Sequence, residues 1–306
     1  MEIDIDAIRD FVMEEAHYLI NVTQYPNTSV KDLPFIFRIV ADRYVDIYHT
    51  ALDKISDPRT AHWPLMDSPI PTLLMVLTYL YVILFFAPRV MMNRKPFKLK
   101  EVMIVYNGAQ VLFSLFMLYE HLMSGWFLDY SFKCQPVDYS VNAKAMRMAN
   151  LCWWYYISKL TEFLDTLFFV LRKKDSQVTF LHLYHHSLTP LETWILVKFI
   201  AGGHGTFSNL INNFVHVMMY FYYMVSAMGP EYQKYIWWKK HLTTIQLLQF
   251  AAVFVHSAQL LWVDCGYPRF IGGLLLLHST IFFGLFSNYY YQTYKRAEKQ
   301  KTVKRE

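Results

Sequence analysis

The chain has 306 residues, of which 55% are hydrophobic, 18% aromatic and only 17% charged, whereas ordinary soluble domains carry about a quarter charged residues. The formal net charge of +5 comes from basic residues set between apolar blocks and at the C-terminus; they follow no single polar face, which argues against nucleic acid as a partner. The acidic start (Glu2, Asp4, Asp6, Asp10, Glu14, Glu15) lacks the basic-then-apolar order of a cleavable signal peptide, and no solenoid-length period repeats.

In chain order, residues 1–65 read as a polar tail with a short helix near 37–56 and glycosylation sequons at Asn21 and Asn27. Residues 66–292 read as an all-α, polytopic transmembrane domain. A bilayer core takes about 20 apolar residues per helix, and seven segments qualify: roughly 70–88, 102–125, 150–171, 179–200, 207–227, 241–262 and 269–291. Residues 293–306 form a basic tail. With seven spans, 17 Lys and Arg residues fall on one side and 4 on the other, the N-terminal tail aside. That asymmetry predicts a cytosolic C-terminus and a lumenal N-terminus; six spans would scramble it. Cys134 and Cys265 both fall in loops assigned to the lumen, where disulfides form. They are the expected pair, with Cys152 a competing partner and three free thiols the other reading.

Ionisable groups inside spans are costly and mark function by default. The third span carries Lys159, Glu162, Asp165 and Thr166, with Lys159 and Glu162 spaced to pair. The fourth opens with His182, His185 and His186, whose i, i+3, i+4 spacing puts three imidazoles on one helix face. The fifth carries Asn212, Asn213 and His216, and the sixth Thr243, Gln246 and Gln249. His121, His256 and His278 are isolated and read as packing. Such clusters serve two chemistries. Membrane desaturases and hydroxylases hold two irons with about eight histidines in several boxes; this chain has one box, no second box, and no glutamate placed as base for a single zinc. The other chemistry is acyl transfer, in which a neutral imidazole attacks a thioester and a second imidazole moves protons. Arg172, Lys173, Lys174, Lys239 and Lys240 at the cytosolic end of the cluster suit a phosphate-bearing head group, although the bias of basic loops toward the cytosol also explains them. A non-enzymatic lipid carrier is a further class, but the inverted repeats and broken helices of transporters are not evident.

Four motifs in order carry a more specific signal: Lys159-Leu-Thr-Glu162-Phe-Leu-Asp165-Thr166; Arg172 to Gln177 running on to His182-Leu-Tyr-His185-His186; Asn212-Asn-Phe-Val-His216 to Tyr220-Phe-Tyr222-Tyr223; and Thr243-Thr-Ile-Gln246-Leu-Leu-Gln249. Over about residues 65–295 the chain resembles the ELO family of very-long-chain fatty acid elongases (3-ketoacyl-CoA synthases of the endoplasmic reticulum). The resemblance implies seven helices, six of which (spans 2–7) form an α-barrel around a substrate tunnel closed at the lumenal end. It implies condensation of a long-chain acyl-CoA with malonyl-CoA, with loss of CO2, and no cofactor. It implies His185 as nucleophile and His216 as its partner across the tunnel. His182 and His186 would support the site, and Asp165 and Asn212 would hold imidazoles in place. Lys159, Arg172, Lys174, Gln177, Tyr222, Lys239, Thr243 and Gln246 would line the coenzyme A path, with Lys299 closing it. Membrane lipid, the other enzymes of the elongation cycle and a second copy of the chain are the implied partners. The family's dilysine retrieval signal is incomplete here, with Lys304 third from the end but Thr302 fifth, so residence in the endoplasmic reticulum rests on the resemblance alone.

Overall fold

The computed structural model describes residue 52 and residues 54–296. The sequons at Asn21 and Asn27, most of the helix expected near 37–56, and Lys299 lie outside them. Within the described residues the chain is helical, with no strand. In order the helices are α1 (Ile70–Met91), α2 (Lys100–Trp126), α3 (Ala143–Thr161), α4 (Phe163–Leu171), α5 (Phe180–Phe199), α6 (Thr206–Met228), α7 (Lys239–Leu261) and α8 (Arg269–Lys295). Four of these, α1, α2, α7 and α8, are long and apolar enough to cross a membrane. Their outward faces carry large exposed apolar side chains, Leu74, Leu77, Val105, Leu112, Leu248, Val255 and Phe283 among them, as a lipid-facing surface requires. The chain is a membrane protein.

Helices α3 to α6 are more polar, and their polar residues turn inward. Lys159, Glu162, Asp165, His186, Asn212 and His216 are all buried. The span expected over 150–171 is two helices, and the first begins earlier. Asn142 caps α3, its Oδ1 accepting from the backbone N–H groups of Lys144 and Ala145 at 3.0 and 2.9 Å, which satisfies donors otherwise left open at a helix start. The break falls at Glu162, whose ψ of −13° tightens the chain so that Asp165 N–H donates to the Glu162 carbonyl at 3.1 Å. A 3₁₀ turn in mid-helix often marks a functional position.

Packing follows the same inward logic. Helix α2 runs along α6, α7 along α8, α6 against α7, and α3 against both α2 and α5. Helix α1 packs on α5 and α4, where Tyr79 stacks on Phe163 with ring centroids 4.4 Å apart and its hydroxyl meets Thr166 Oγ1 at 2.9 Å. A disulfide joins Cys134, in the α2–α3 loop, to Cys265, in the α7–α8 loop, across a sequence separation of 131; Cys152 is a buried free thiol. Beside the bridge, Gly203 takes φ +65°, and a Cβ there would meet the Gln135 carbonyl at 3.0 Å. That close approach lets His204 N–H donate to the same carbonyl at 2.8 Å.

The end of the expected tail is part of the core. Asp57 and Arg59 form a buried ion pair at 2.6 Å. Arg59 also donates to the carbonyls of Asp138, Ala145 and Ala201 at 2.6, 3.3 and 2.8 Å. Thr60 Oγ1 donates to the Val197 carbonyl at 2.6 Å, and Met66 is fully buried among Ala149, Tyr156, Trp194 and Val197. Polarity marks this stretch as tail in the sequence; carbonyls of the α2–α3 loop, the first turn of α3 and the end of α5 hold Arg59 inside. Arg59→Ala leaves Asp57 buried and unpaired, a change that costs about 3–5 kcal/mol. The expected result is a thermal unfolding midpoint lower by roughly 10 °C in detergent-solubilised protein, read by intrinsic fluorescence.

Candidate active site

Local structure sets the phase of the histidine helix. Thr179 caps α5, its Oγ1 accepting from His182 N–H at 3.2 Å, so the helix begins one turn before the cluster and its three imidazoles share a face. Pro190 lies inside α5; lacking an N–H, it leaves the His186 carbonyl without its helical donor and loosens the helix beside the cluster. His182 Nε2 meets Thr166 Oγ1 at 2.8 Å, and the ring centroids of His182 and His186 are 4.2 Å apart. His185 lies 5.0 Å from His186 on one side and 5.4 Å from the Phe282 ring on the other.

The centre of the site is Glu162, at the break between α3 and α4. Its Oε1 accepts from Lys159 Nζ at 2.7 Å and lies 3.4 Å from His216 Nδ1. One ligand atom each from Glu162, His185 and His186 falls within 4.8 Å of the others. The Lys159–Glu162 pair matches its sequence spacing. The glutamate's place among three histidines does not follow from spacing, because His185 and His186 come from α5 and His216 from α6. Against the sequence expectation, a glutamate does stand beside the box, which makes Glu162, His185 and His186 a donor set able to hold a metal ion. Glu162 Oε2 and His186 Nδ1 have no hydrogen-bond partner. The Lys159 ammonium on Oε1 opposes a second cation there.

Two expected imidazole holders do other work. Asp165 Oδ2 accepts from the Tyr220 hydroxyl at 2.8 Å, and Asn212 Oδ1 accepts from Lys159 Nζ and the Tyr155 hydroxyl at 2.9 and 2.8 Å. Glu162 and Thr166 touch the imidazoles instead. For Asp165 the reason is the break at Glu162, which shifts the side chains beyond it relative to a continuous helix.

A cavity of about 330 Å³ adjoins the cluster. His185, Lys159 and Asn212 line it, together with apolar residues such as Leu188, Leu196, Val253 and Leu275. His182, His186 and His216 stand outside its wall. Along α5 the lining runs from Tyr184 to Leu196, a rise of about 18 Å at 1.5 Å per residue. Of the four clustered imidazoles, that of His185 thus faces a long, largely apolar space while the other three and Glu162 pack behind it.

A model of the ELO family, described as the GNS1/SUR4 family, matches residues 64–302. The chain belongs to the ELO family. Very long chain fatty acid elongase 7 of Drosophila melanogaster is 50% identical over 84% of this chain and 79% of its own length. Very long chain fatty acid elongase 7 of Rattus norvegicus is 50% identical over 86% and 94%, and very long chain fatty acid elongase 1 of Homo sapiens is 48% identical over 83% and 92%. The family match begins at residue 64, so Asp57 and Arg59 lie before it.

Of the polar residues expected along the head-group path of this ELO chain, Lys159 lines the cavity, and the other described ones do not. Arg172, Lys174 and Gln177 sit on the α4–α5 connection, with Lys174 and Gln177 exposed. Tyr222, Lys239, Thr243 and Gln246 gather where α6 ends and α7 begins. There the Tyr294 hydroxyl lies 3.4 Å from both the Lys239 carbonyl and Thr243 Oγ1, Tyr222 packs edge-on to Trp238, and Gln246 Nε2 is 3.8 Å from Met219 Sδ. Both groups stand at the end of the helices where α4, α6 and α8 finish and α5 and α7 start. Sequence reasoning passed over Tyr155 and Glu192 and read His278 as packing; all three line the cavity. Tyr155 stands four residues before Lys159 on the same helical face, a spacing that could have found it.

Proposed function

We propose that this chain is the condensing enzyme of fatty acid elongation, a very-long-chain 3-oxoacyl-CoA synthase that joins a long-chain acyl-CoA to malonyl-CoA. The observation that carries the reading is that, of the four clustered histidines, His185 alone opens into the cavity, with Glu162 and the other three behind it. The acyl tail fills the cavity and the thioester carbonyl rests at His185. A neutral ring nitrogen attacks that carbonyl, the C–S bond breaks, and coenzyme A leaves as its thiol with the proton from the ring. The product is an acyl-imidazole. Malonyl-CoA then loses CO2, and the freed electron pair forms the new C–C bond at the acyl carbonyl as the C–N bond breaks. The released ring nitrogen takes up a proton from solvent, which restores the neutral imidazole, and the product is a 3-ketoacyl-CoA two carbons longer.

Each neighbour has a part in this scheme. Glu162 holds His216 by Nδ1, which fixes its tautomer and raises the basicity of its other nitrogen. Lys159, held by Glu162 and Asn212 and lining the cavity, places a positive charge where the enolate develops. Arg172, Lys174, Gln177, Tyr222, Lys239, Thr243 and Gln246, with Lys299 from the tail, receive the coenzyme A head group. The pairwise packing of α2, α6, α7, α8, α5 and α3 supports the reading of six spans closed into a barrel, with α1 outside and seven spans in all. The loop charges support a cytosolic head-group end and a lumenal disulfide end, in the membrane of the endoplasmic reticulum. No cofactor enters the scheme. Acyl-CoA and malonyl-CoA given to the purified protein are expected to yield CO2 and 3-ketoacyl-CoA in equal amounts by mass spectrometry; no extension of any acyl-CoA would overturn the reading.

A second reading rests on the unpartnered Glu162 Oε2 and His186 Nδ1: a metal-dependent lipid desaturase or hydroxylase, in which Glu162, His185 and His186 hold the metal. Metal analysis separates the two. Stoichiometric iron or zinc, lost in His186→Ala, supports the second reading; sub-stoichiometric metal with full condensing activity supports the first.

A further inference from the structure

Beyond His185 the cavity should need only apolar walls, yet it holds a carboxylate and an imidazole. Glu192, on α5, and His278, on α8, both line it, and Glu192 Oε2 lies 2.6 Å from His278 Nδ1. The contact is off the line a hydrogen bond needs, so Nδ1 has no true hydrogen-bond partner. Both side chains are partly open, 31% for Glu192 and 17% for His278. Aromatic rings collar the pair: His278 is 4.5 Å from Phe282 and 6.4 Å from Phe250, and Phe250 stacks on Phe282 at 5.5 Å. Glu192 is the one carboxylate in the cavity lining, and the condensation scheme uses neither member of the pair.

We infer that Glu192 and His278 form a specificity-determining station that favours acyl chains with a cis double bond about nine carbons from the thioester. This rests on the condensing function proposed above. The depth follows from α5. Glu192 is seven residues beyond His185, a rise of about 10.5 Å. An extended chain advances about 1.2 Å per bond, since a residue of three bonds spans about 3.5 Å, so the ninth carbon stands level with the pair. The chemistry follows from charge. A double bond has an electron-rich face and an electron-poor hydrogen edge, the same sense of quadrupole as an aromatic ring. The imidazole N–H meets the face, the carboxylate meets the vinyl C–H edge, and Phe250 packs on the remaining surface. A methylene pair offers neither pole. These are weak contacts singly, and together they are worth about fivefold in kcat/KM.

The test is competition in one tube, with full-length protein, malonyl-CoA and equimolar C18 acyl-CoAs: saturated, cis-6, cis-9 and cis-13. The cis-9 chain is expected to be extended about fivefold faster than the saturated chain, and ahead of cis-6 and cis-13. In Glu192→Leu/His278→Phe the cis-9 to saturated ratio is expected to fall to about one, while a Glu192→Gln variant keeps part of it. A wild-type profile with no dependence on double-bond position overturns the inference, and so does a ratio unchanged in the double variant. If that variant does not fold, the wild-type positional profile decides. Failure of the condensing function would look different, because no chain, saturated or not, would be extended.

Discussion

With acyl-CoA alone, the wild-type protein is expected to gain the mass of one acyl group, and His185→Ala is expected to gain none. Turnover with malonyl-CoA should fall at least about 10³-fold in that variant, the scale seen when a covalent nucleophile is removed. The reason is positional. Of the four clustered histidines only His185 faces the cavity that accepts the tail; His182 is tied to Thr166, and His216 to Glu162. Intact-protein mass spectrometry with peptide mapping checks it. An adduct of equal size in His185→Ala would move the nucleophile to another residue, with Lys159 the next group on the cavity wall. His216→Ala separates the half-reactions: it should still take the acyl group but fail to pass it on, leaving an adduct that malonyl-CoA does not discharge.

Glu162→Ala should be the most damaging change away from the nucleophile. It leaves Lys159 buried, at 2% exposure, without its counter-charge. Breaking one partner of a buried pair costs about 3–5 kcal/mol, so the thermal midpoint should fall by roughly 10 °C. Activity should fall by at least about 100-fold, because His216 loses the group that fixes its tautomer. The double variant Lys159→Met/Glu162→Gln distinguishes packing from chemistry. Removing both charges should restore most of the stability, since a buried pair and an apolar replacement of similar size are often close in energy. Activity should stay low. Recovery of both would reduce the pair to a device for helix packing.

The break at Glu162 decides which carboxylate of this stretch meets the imidazoles. A continuous helix through this stretch would set Asp165 one turn beyond Glu162 and only about 60° round the axis from it, so that both carboxylates could reach an imidazole. The tight turn at Glu162 rotates Asp165 toward Tyr220 and leaves Glu162 pointing at the histidines. No residue in the stretch Thr161-Glu162-Phe163 signals that turn; neither Gly nor Pro is present. The buried residues Asp57 to Met66 are a second case. Their composition is that of a tail, and only the fold brings the carbonyls of Asp138, Ala145 and Ala201 together to give Arg59 a buried place.

The sequence by itself determined the chemistry present and the class of the molecule. Long apolar blocks dictate membrane helices, because backbone polar groups in lipid must be satisfied within the segment. Polar residues at helical spacing inside those blocks dictate an inward-facing site, because lipid would not solvate them. Such signals are local, carried by residues three or four apart, and the histidine face, the Lys159–Glu162 pair and the four ordered family motifs were legible for that reason. The tertiary structure decided which groups meet across helices: Glu162 with His185, His186 and His216, Asn212 with Lys159, and Glu192 with His278. Those meetings depend on the rotation of each helix about its axis, which packing against several neighbours sets together and no single helix encodes.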